Sequence, residues 1–210
     1  MVFSDGSVKR FAPEIAPATE ESCGGFKSKD VIIDPLKAIT GRIFLPDIPG
    51  PCTLLPVLIY FHGGGFCIGS TTWLGYHHFL GDFLLCPNPL SFLSTTVWHP
   101  KNRLPIAYND CYSSLEWLCN QFTNEPWLKQ ADLSRVFLSG DSAGGNIVHQ
   151  KEREDGAAGY VAMNDMFWRL SIPDWSNRDY YGCNFENKDV SDAEWREFPA
   201  VVIYVAGLDF

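Results

Sequence analysis

Two short stretches of the sequence hold groups suited to acyl chemistry. The first runs from Val136 to Gln150, VFLSGDSAGGNIVHQ, and within it Gly140-Asp141-Ser142-Ala143-Gly144 fits the pattern G-x-S-x-G. A serine hydroxyl attacks a carbonyl only when a turn exposes it and a base activates it. The flanks suit such a turn: the apolar RVFLS predicts a strand, and AGGNIVHQ is compatible with a helix. Glycines on either side let the backbone fold back tightly enough to push Ser142 Oγ out of the sheet. A pentapeptide of this kind also occurs as a plain strand-to-helix turn. The second stretch, His62-Gly63-Gly64-Gly65, changes the balance. It ends an earlier apolar run and offers bare N–H groups that could face a carbonyl oxygen as it gains charge. Such a nest and such a serine together point to an acyl-serine mechanism.

The elements that must position these residues are legible as an α/β pattern. SKDVIIDP and AITGRIFLP are β-branched runs bounded by turn signals and predict a hairpin within residues 1–50. LLPVLIYF is continuously apolar, the pattern of a strand buried on both faces of a mostly parallel sheet. IAYNDCYSSLEWLCNQF predicts an amphipathic helix with Ile106, Tyr108, Leu115, Leu118, Cys119 and Phe122 as its apolar set. LSRVFLSG predicts another buried strand, and AVVIYVAGL a last one. Between them, residues 151–197 are charged, then rich in aromatics, and read as pocket-lining or cap material. Aromatics in MFWRLSIPDWSNRDYYGCNF serve equally well as core. Strand–helix alternation in a chain of 210 residues gives one domain of α/β class.

Composition narrows the partners. The chain is 46% hydrophobic and 20% charged, as expected of a core-forming protein. A formal net charge of −9 with no basic cluster argues against nucleic acid and against anionic membrane. The apolar runs of eight residues are too short to span a bilayer, and the N-terminal segment has no signal-peptide pattern, so a cytosolic location is expected, with the nucleus also open to it. The seven cysteines form no CxxC pair and no Cys/His metal spacing, which predicts reduced thiols, most of them buried, and no metal. No organic cofactor is implied.

The stretches VLIYFHGGGFCIGS, NRLPIAYNDCYSSLEWL, RVFLSGDSAGGNIVHQ and FPAVVIYVAGLDF resemble the plant carboxylesterases. These form the hormone-sensitive-lipase-like branch of the α/β-hydrolase fold, which also includes the gibberellin receptors. The resemblance implies a three-layer sandwich with a mostly parallel sheet and a small N-terminal and cap region. It implies Ser142 as nucleophile and an oxyanion hole at Gly63, Gly64 and Ala143, extending to Gly65. His62, Gly140, Asp141 and Gly144 complete the two motifs. Asp209 matches the acid of the triad. The substrate implied is a small acyl ester or, for a receptor-like member, a hydrophobic small ligand.

Two departures from the family pattern set further expectations. In this fold the base follows the acid, yet His62, His77, His78, His99 and His149 all precede Asp209. His149 sits about 10 Å along the helix axis from Ser142, beyond hydrogen-bond reach. His77 and His78 read as helix-surface or core residues. The family also carries a further strand between GGNIVHQ and KERED, and Pro87 and Pro89 fall where it has a central strand, which proline serves poorly. The expectation is therefore a truncated, internally shortened esterase with an incomplete sheet, impaired turnover and a tendency to aggregate. A non-catalytic binder of the same fold and a non-functional fragment are the alternatives.

Overall fold

A computed structural model describes residues 9, 13–47, 54–84, 90–94, 103–149, 166–177, 179–183, 200 and 202. The last predicted strand, Asp209, His99 and most of residues 151–197 lie outside that set. Strands β1 (Phe26–Asp34) and β2 (Ile39–Pro46) form the expected hairpin. β3 (Leu55–Phe61) is followed by α1 (Leu74–Leu84), β4 (Leu90–Ser94), α2 (Ile106–Gln121), β5 (Ala131–Gly140) and α3 (Ala143–His149). The sheet order is β1-β2-β4-β3-β5. β4, β3 and β5 run parallel, while the hairpin joins antiparallel through β2.

β3 explains the layering. Its side chains alternate across the sheet, so a continuous apolar run buries both faces. Val57, Ile59 and Phe61 join Cys111 and Leu118 of α2 and Leu128 in one core. Leu58 and Tyr60 join Phe44 of β2 and Leu80 and Leu84 of α1 on the other side. Helices therefore cover both faces, and the architecture is three-layered.

Four expectations need correction. β4 is an intact five-residue central strand, bonded to β2 on one side and β3 on the other. It begins just after Pro89, so neither proline has to supply an amide to the ladder. β5 is not buried: Leu133 is 50% exposed and Phe137 57%. Among the described residues it pairs only with β3 and is the last strand in the sheet order. The buried stripe of α2 is Ala107, Asp110, Cys111, Ser114 and Leu118, whereas Ile106 and Cys119 are exposed. Small side chains let this helix close on the sheet, and the Ser114 hydroxyl satisfies itself on the Asp110 carbonyl at 2.9 Å. Of the five described cysteines only Cys67 and Cys111 are buried.

Candidate active site

β5 delivers the chain to the turn that carries Ser142, and α3 takes it away at Ala143. The turn is closed by the Gly144 amide donating to the Asp141 carbonyl at 2.8 Å and the Asn146 amide donating to the Ser142 carbonyl at 2.8 Å. Ser142 has φ +51°, a left-handed conformation that a non-glycine residue adopts at a cost. Its exposed position fits a nucleophile. The strain is held because β5, α3 and β3 meet here without spare room. A Cβ on Gly144 would overlap the Phe61 carbonyl oxygen, and one on Gly140 would lie 2.5 Å from the Gly144 carbonyl carbon.

The glycine loop follows β3 directly. Each of its peptide groups is pinned. In a trans peptide the C=O and the next N–H point in opposite directions, so holding a carbonyl aims the amide after it. The Gly63 carbonyl accepts from His62 Nδ1 at 2.7 Å, which turns the Gly64 N–H away from that ring. Because a carbonyl only accepts, His62 carries its proton on Nδ1. The Gly64 carbonyl accepts from the Cys67 and Ile68 amides, both at 3.0 Å, which turns the Gly65 N–H away from them. The Gly65 carbonyl accepts from Ser171 Oγ at 3.0 Å. Among the described residues the Gly64, Gly65 and Ala143 amides have no hydrogen-bond partner.

Gly63 plays a different part from the one its motif suggests. Its N–H lies 2.8 Å from Asp141 Oδ1 and 2.9 Å from the Tyr76 hydroxyl oxygen. An amide so engaged is not available to a substrate oxygen. Tyr60 donates to Asp141 Oδ1 at 2.9 Å and Tyr76 to Oδ2 at 3.1 Å. Burial, and then the Asp141 charge, push both phenols well above the ordinary tyrosine range, so both stay protonated as donors. Asp141 thus ties the serine turn to the glycine loop through two tyrosines that sequence reasoning missed. The parity of β3 held a signal: Tyr60 and His62 are two apart and share a face.

Two of the histidines, His62 and His77, are committed elsewhere. His62 is fully buried, and that burial lowers its imidazole to about 4 despite the Gly63 carbonyl. His77 packs between Phe26 and Phe44, and its Nδ1 lies 3.2 Å from the buried Arg42 guanidinium. Arg42 in turn makes a bidentate pair with Asp30 at 2.6 and 3.0 Å. No imidazole is bonded to Ser142 among the described residues.

A second core closes over the site from the 166–183 region. Trp168, Ile172 and Tyr180 pack with Phe66 of the loop, Ala143 of the serine turn, and Leu104 and Ala107 at the start of α2. An open cleft of about 620 Å³ between Arg103–Ile106 and Pro173–Trp175 contains neither Ser142 nor the glycines. Among the described residues no cluster of His, Cys, Asp and Glu could hold a metal ion, and no helix is long and apolar enough to cross a membrane.

A strained serine between strand and helix, facing a glycine loop at the end of a neighbouring parallel strand, defines an α/β hydrolase. A family model for the alpha/beta hydrolase fold matches residues 58–154. The chain is 32% identical to probable carboxylesterase 6 of Arabidopsis thaliana, over 87% of this chain and 66% of that protein. It is 30% identical to tuliposide A-converting enzyme 1, chloroplastic, of Tulipa gesneriana, over 100% of this chain and 62% of that protein. The chain thus spans a little under two thirds of these relatives' lengths. Among solved structures, a thermostable esterase from Pseudomonas putida superposes with a TM-score of 0.62 at 18% identity, over 78% of this chain and 59% of that one. A carboxylesterase cloned from a metagenomic library gives 0.60 at 19% identity, over 85% and 67%. The chain has the α/β-hydrolase fold and belongs with the plant carboxylesterases of its hormone-sensitive-lipase-like branch. The cytosolic expectation gains no support from these relatives, one of which carries a chloroplastic name.

Proposed function

We propose that this chain carries the acyl-transfer half of a carboxylesterase site, acting on small acyl esters. Ser142 Oγ attacks the ester carbonyl as its proton passes to solvent, and the oxygen that gains charge is taken up by the Gly64, Gly65 and Ala143 amides. Collapse of the tetrahedral species breaks the bond to the alkoxide, which leaves as the alcohol on taking a proton from solvent, and the acyl-Ser142 ester is then hydrolysed by water. One observation carries the reading. The strained Ser142 turn and the glycine loop are locked together by Asp141, with the loop carbonyls pinned and those three amides left unengaged. Amides fixed in place beforehand stabilise a developing oxyanion without reorganisation when the charge forms. The names of the Arabidopsis and tulip relatives support ester chemistry.

Turnover is a separate matter. His62 and His77 are held by Gly63 and Arg42, so neither supplies a base to Ser142. Asp209 enters the proposal as the acid of the triad on the strength of the family resemblance alone. The reading is therefore a nucleophile and an oxyanion hole with slow deacylation. The same observation favours, as second reading, a protein that binds a small hydrophobic ligand without turning it over. Hydrolysis of p-nitrophenyl acetate by the full chain and by Ser142→Ala separates them. A slow release of p-nitrophenol that Ser142→Ala abolishes supports the esterase reading. Equal release from both proteins contradicts it.

A further inference from the structure

We propose that Ser171 is a positioning residue for the oxyanion hole, acting through the Gly65 carbonyl. The inference rests on the serine-esterase reading and deepens it. Ser171 closes the helical turn at residues 166–171 and is only 2% exposed. Its hydroxyl donates to the Gly65 carbonyl at 3.0 Å and lies 3.4 Å from the buried Cys67 sulfur. Its own carbonyl accepts from the Leu104 amide at 2.7 Å. The glycine loop therefore holds the side chain, and Leu104 holds the backbone that carries it.

The loop needs that tether. The Gly63 and Gly64 carbonyls are held locally, by His62 and by the Cys67 and Ile68 amides. The Gly65 carbonyl is held from a part of the chain remote in sequence. Gly65 and Phe66 both have φ +57°, and Phe66 pays for it as a non-glycine residue. Without a partner on its carbonyl, the peptide between Gly65 and Phe66 is free to rotate, and the turn that brings the Cys67 and Ile68 amides to the Gly64 carbonyl, and so aims the Gly65 amide, loosens with it. The turn that delivers Ser171 also brings Phe167, whose ring stands where a side chain on Gly65 would be. One helical turn thus holds the loop by a hydrogen bond and closes the space beside it.

Phenylboronic acid and benzamide test this on the full chain by calorimetry. The boronate becomes tetrahedral and anionic on a serine oxygen, whereas benzamide stays planar and neutral. Ser171→Ala is expected to weaken phenylboronate about tenfold and benzamide by less than about twofold. Ser171→Cys, which keeps a weaker donor, is expected to show the same selective loss to a smaller degree, and it decides the matter if the alanine variant does not fold. Unchanged boronate affinity, or equal losses for both ligands, overturns the proposal and leaves the serine reading standing. An adduct that is absent from the unmodified chain, or that survives Ser142→Ala, overturns both.

Discussion

Asp141 Oδ1 accepts the Gly63 amide at 2.8 Å, so the residue before Ser142 holds the first glycine of the loop opposite. The motif glycine that looks like an oxyanion donor is spent on architecture, and the motif acid is its partner. Tyr60 and Tyr76 complete the knot from β3 and α1. Two motifs far apart in sequence are therefore one structural unit.

Asp141→Ala removes the carboxylate that accepts from the Gly63 amide, the buried Tyr60 phenol and the half-buried Tyr76 phenol. The expected cost is roughly 2–4 kcal/mol of stability, because hydrogen bonds to a charged group are lost and their donors stay desolvated. Asp141→Asn keeps one acceptor oxygen and should cost less. Urea denaturation of the three proteins measures the order, and equal midpoints would remove Asp141 from its role.

Gly144→Ala places a methyl group on the Phe61 carbonyl oxygen. Both atoms belong to packed backbone, so neither can yield cheaply. A loss above about 4 kcal/mol, or failure to fold, is expected. Thermal denaturation of the soluble fraction checks it. Gly145→Ala is the control: the nearest atom there, the Gly140 carbonyl oxygen, is 3.2 Å away, and a much smaller change is expected.

The parts of this molecule that follow from period and turn chemistry were legible in the sequence. The hairpin, β3, His77 and His78 as core and surface residues of α1, and the strand–Ser142–helix context all follow from local pattern. β4 was misjudged because two prolines suggested a broken strand, although the ladder begins one residue after the second. The α2 stripe is legible only in part: Leu118 is buried and Tyr108, Leu115 and Phe122 pack against the cores, but Ala107, Asp110 and Ser114 share the buried face while Ile106 and Cys119 are exposed. Composition does not reveal how closely a helix approaches a sheet. Strand parity points to Tyr60, but its contact with Asp141, the Tyr76 contact and the Ser171 tether join remote residues, and no spacing rule reaches them.

Stability should fall as the solution is acidified. His62 titrates near 4 in the fold, well below the ordinary 6.5, because burial disfavours its cation. The unfolded chain binds the proton first, so stability is full above about 6.5 and declines towards about 4, by about 3 kcal/mol if this group acts alone. His77, lowered by burial and then by Arg42, works in the same direction. Denaturation midpoints between pH 7 and 4 measure the slope, and His62→Gln should flatten it. A midpoint independent of pH would contradict the neutral, buried imidazole.

The β5 edge should promote self-association. Val136, Phe137 and Leu138 are 41%, 57% and 46% exposed on a strand that pairs on one side only among the described residues. Phe137→Lys is expected to reduce light scattering at high concentration while changing stability by less than about 1 kcal/mol. Unaltered association would place the sticky surface elsewhere.

The central claim is that Ser142 is a nucleophile set against preformed amides. Intact-mass and peptide mapping after exposure to a fluorophosphonate ester tests it most directly. One adduct is expected, on Ser142, forming slowly, absent from Ser142→Ala and slower still in Asp141→Asn. Adducts on other residues alone, or an unlabelled Ser142 in folded protein after prolonged exposure, would contradict the account.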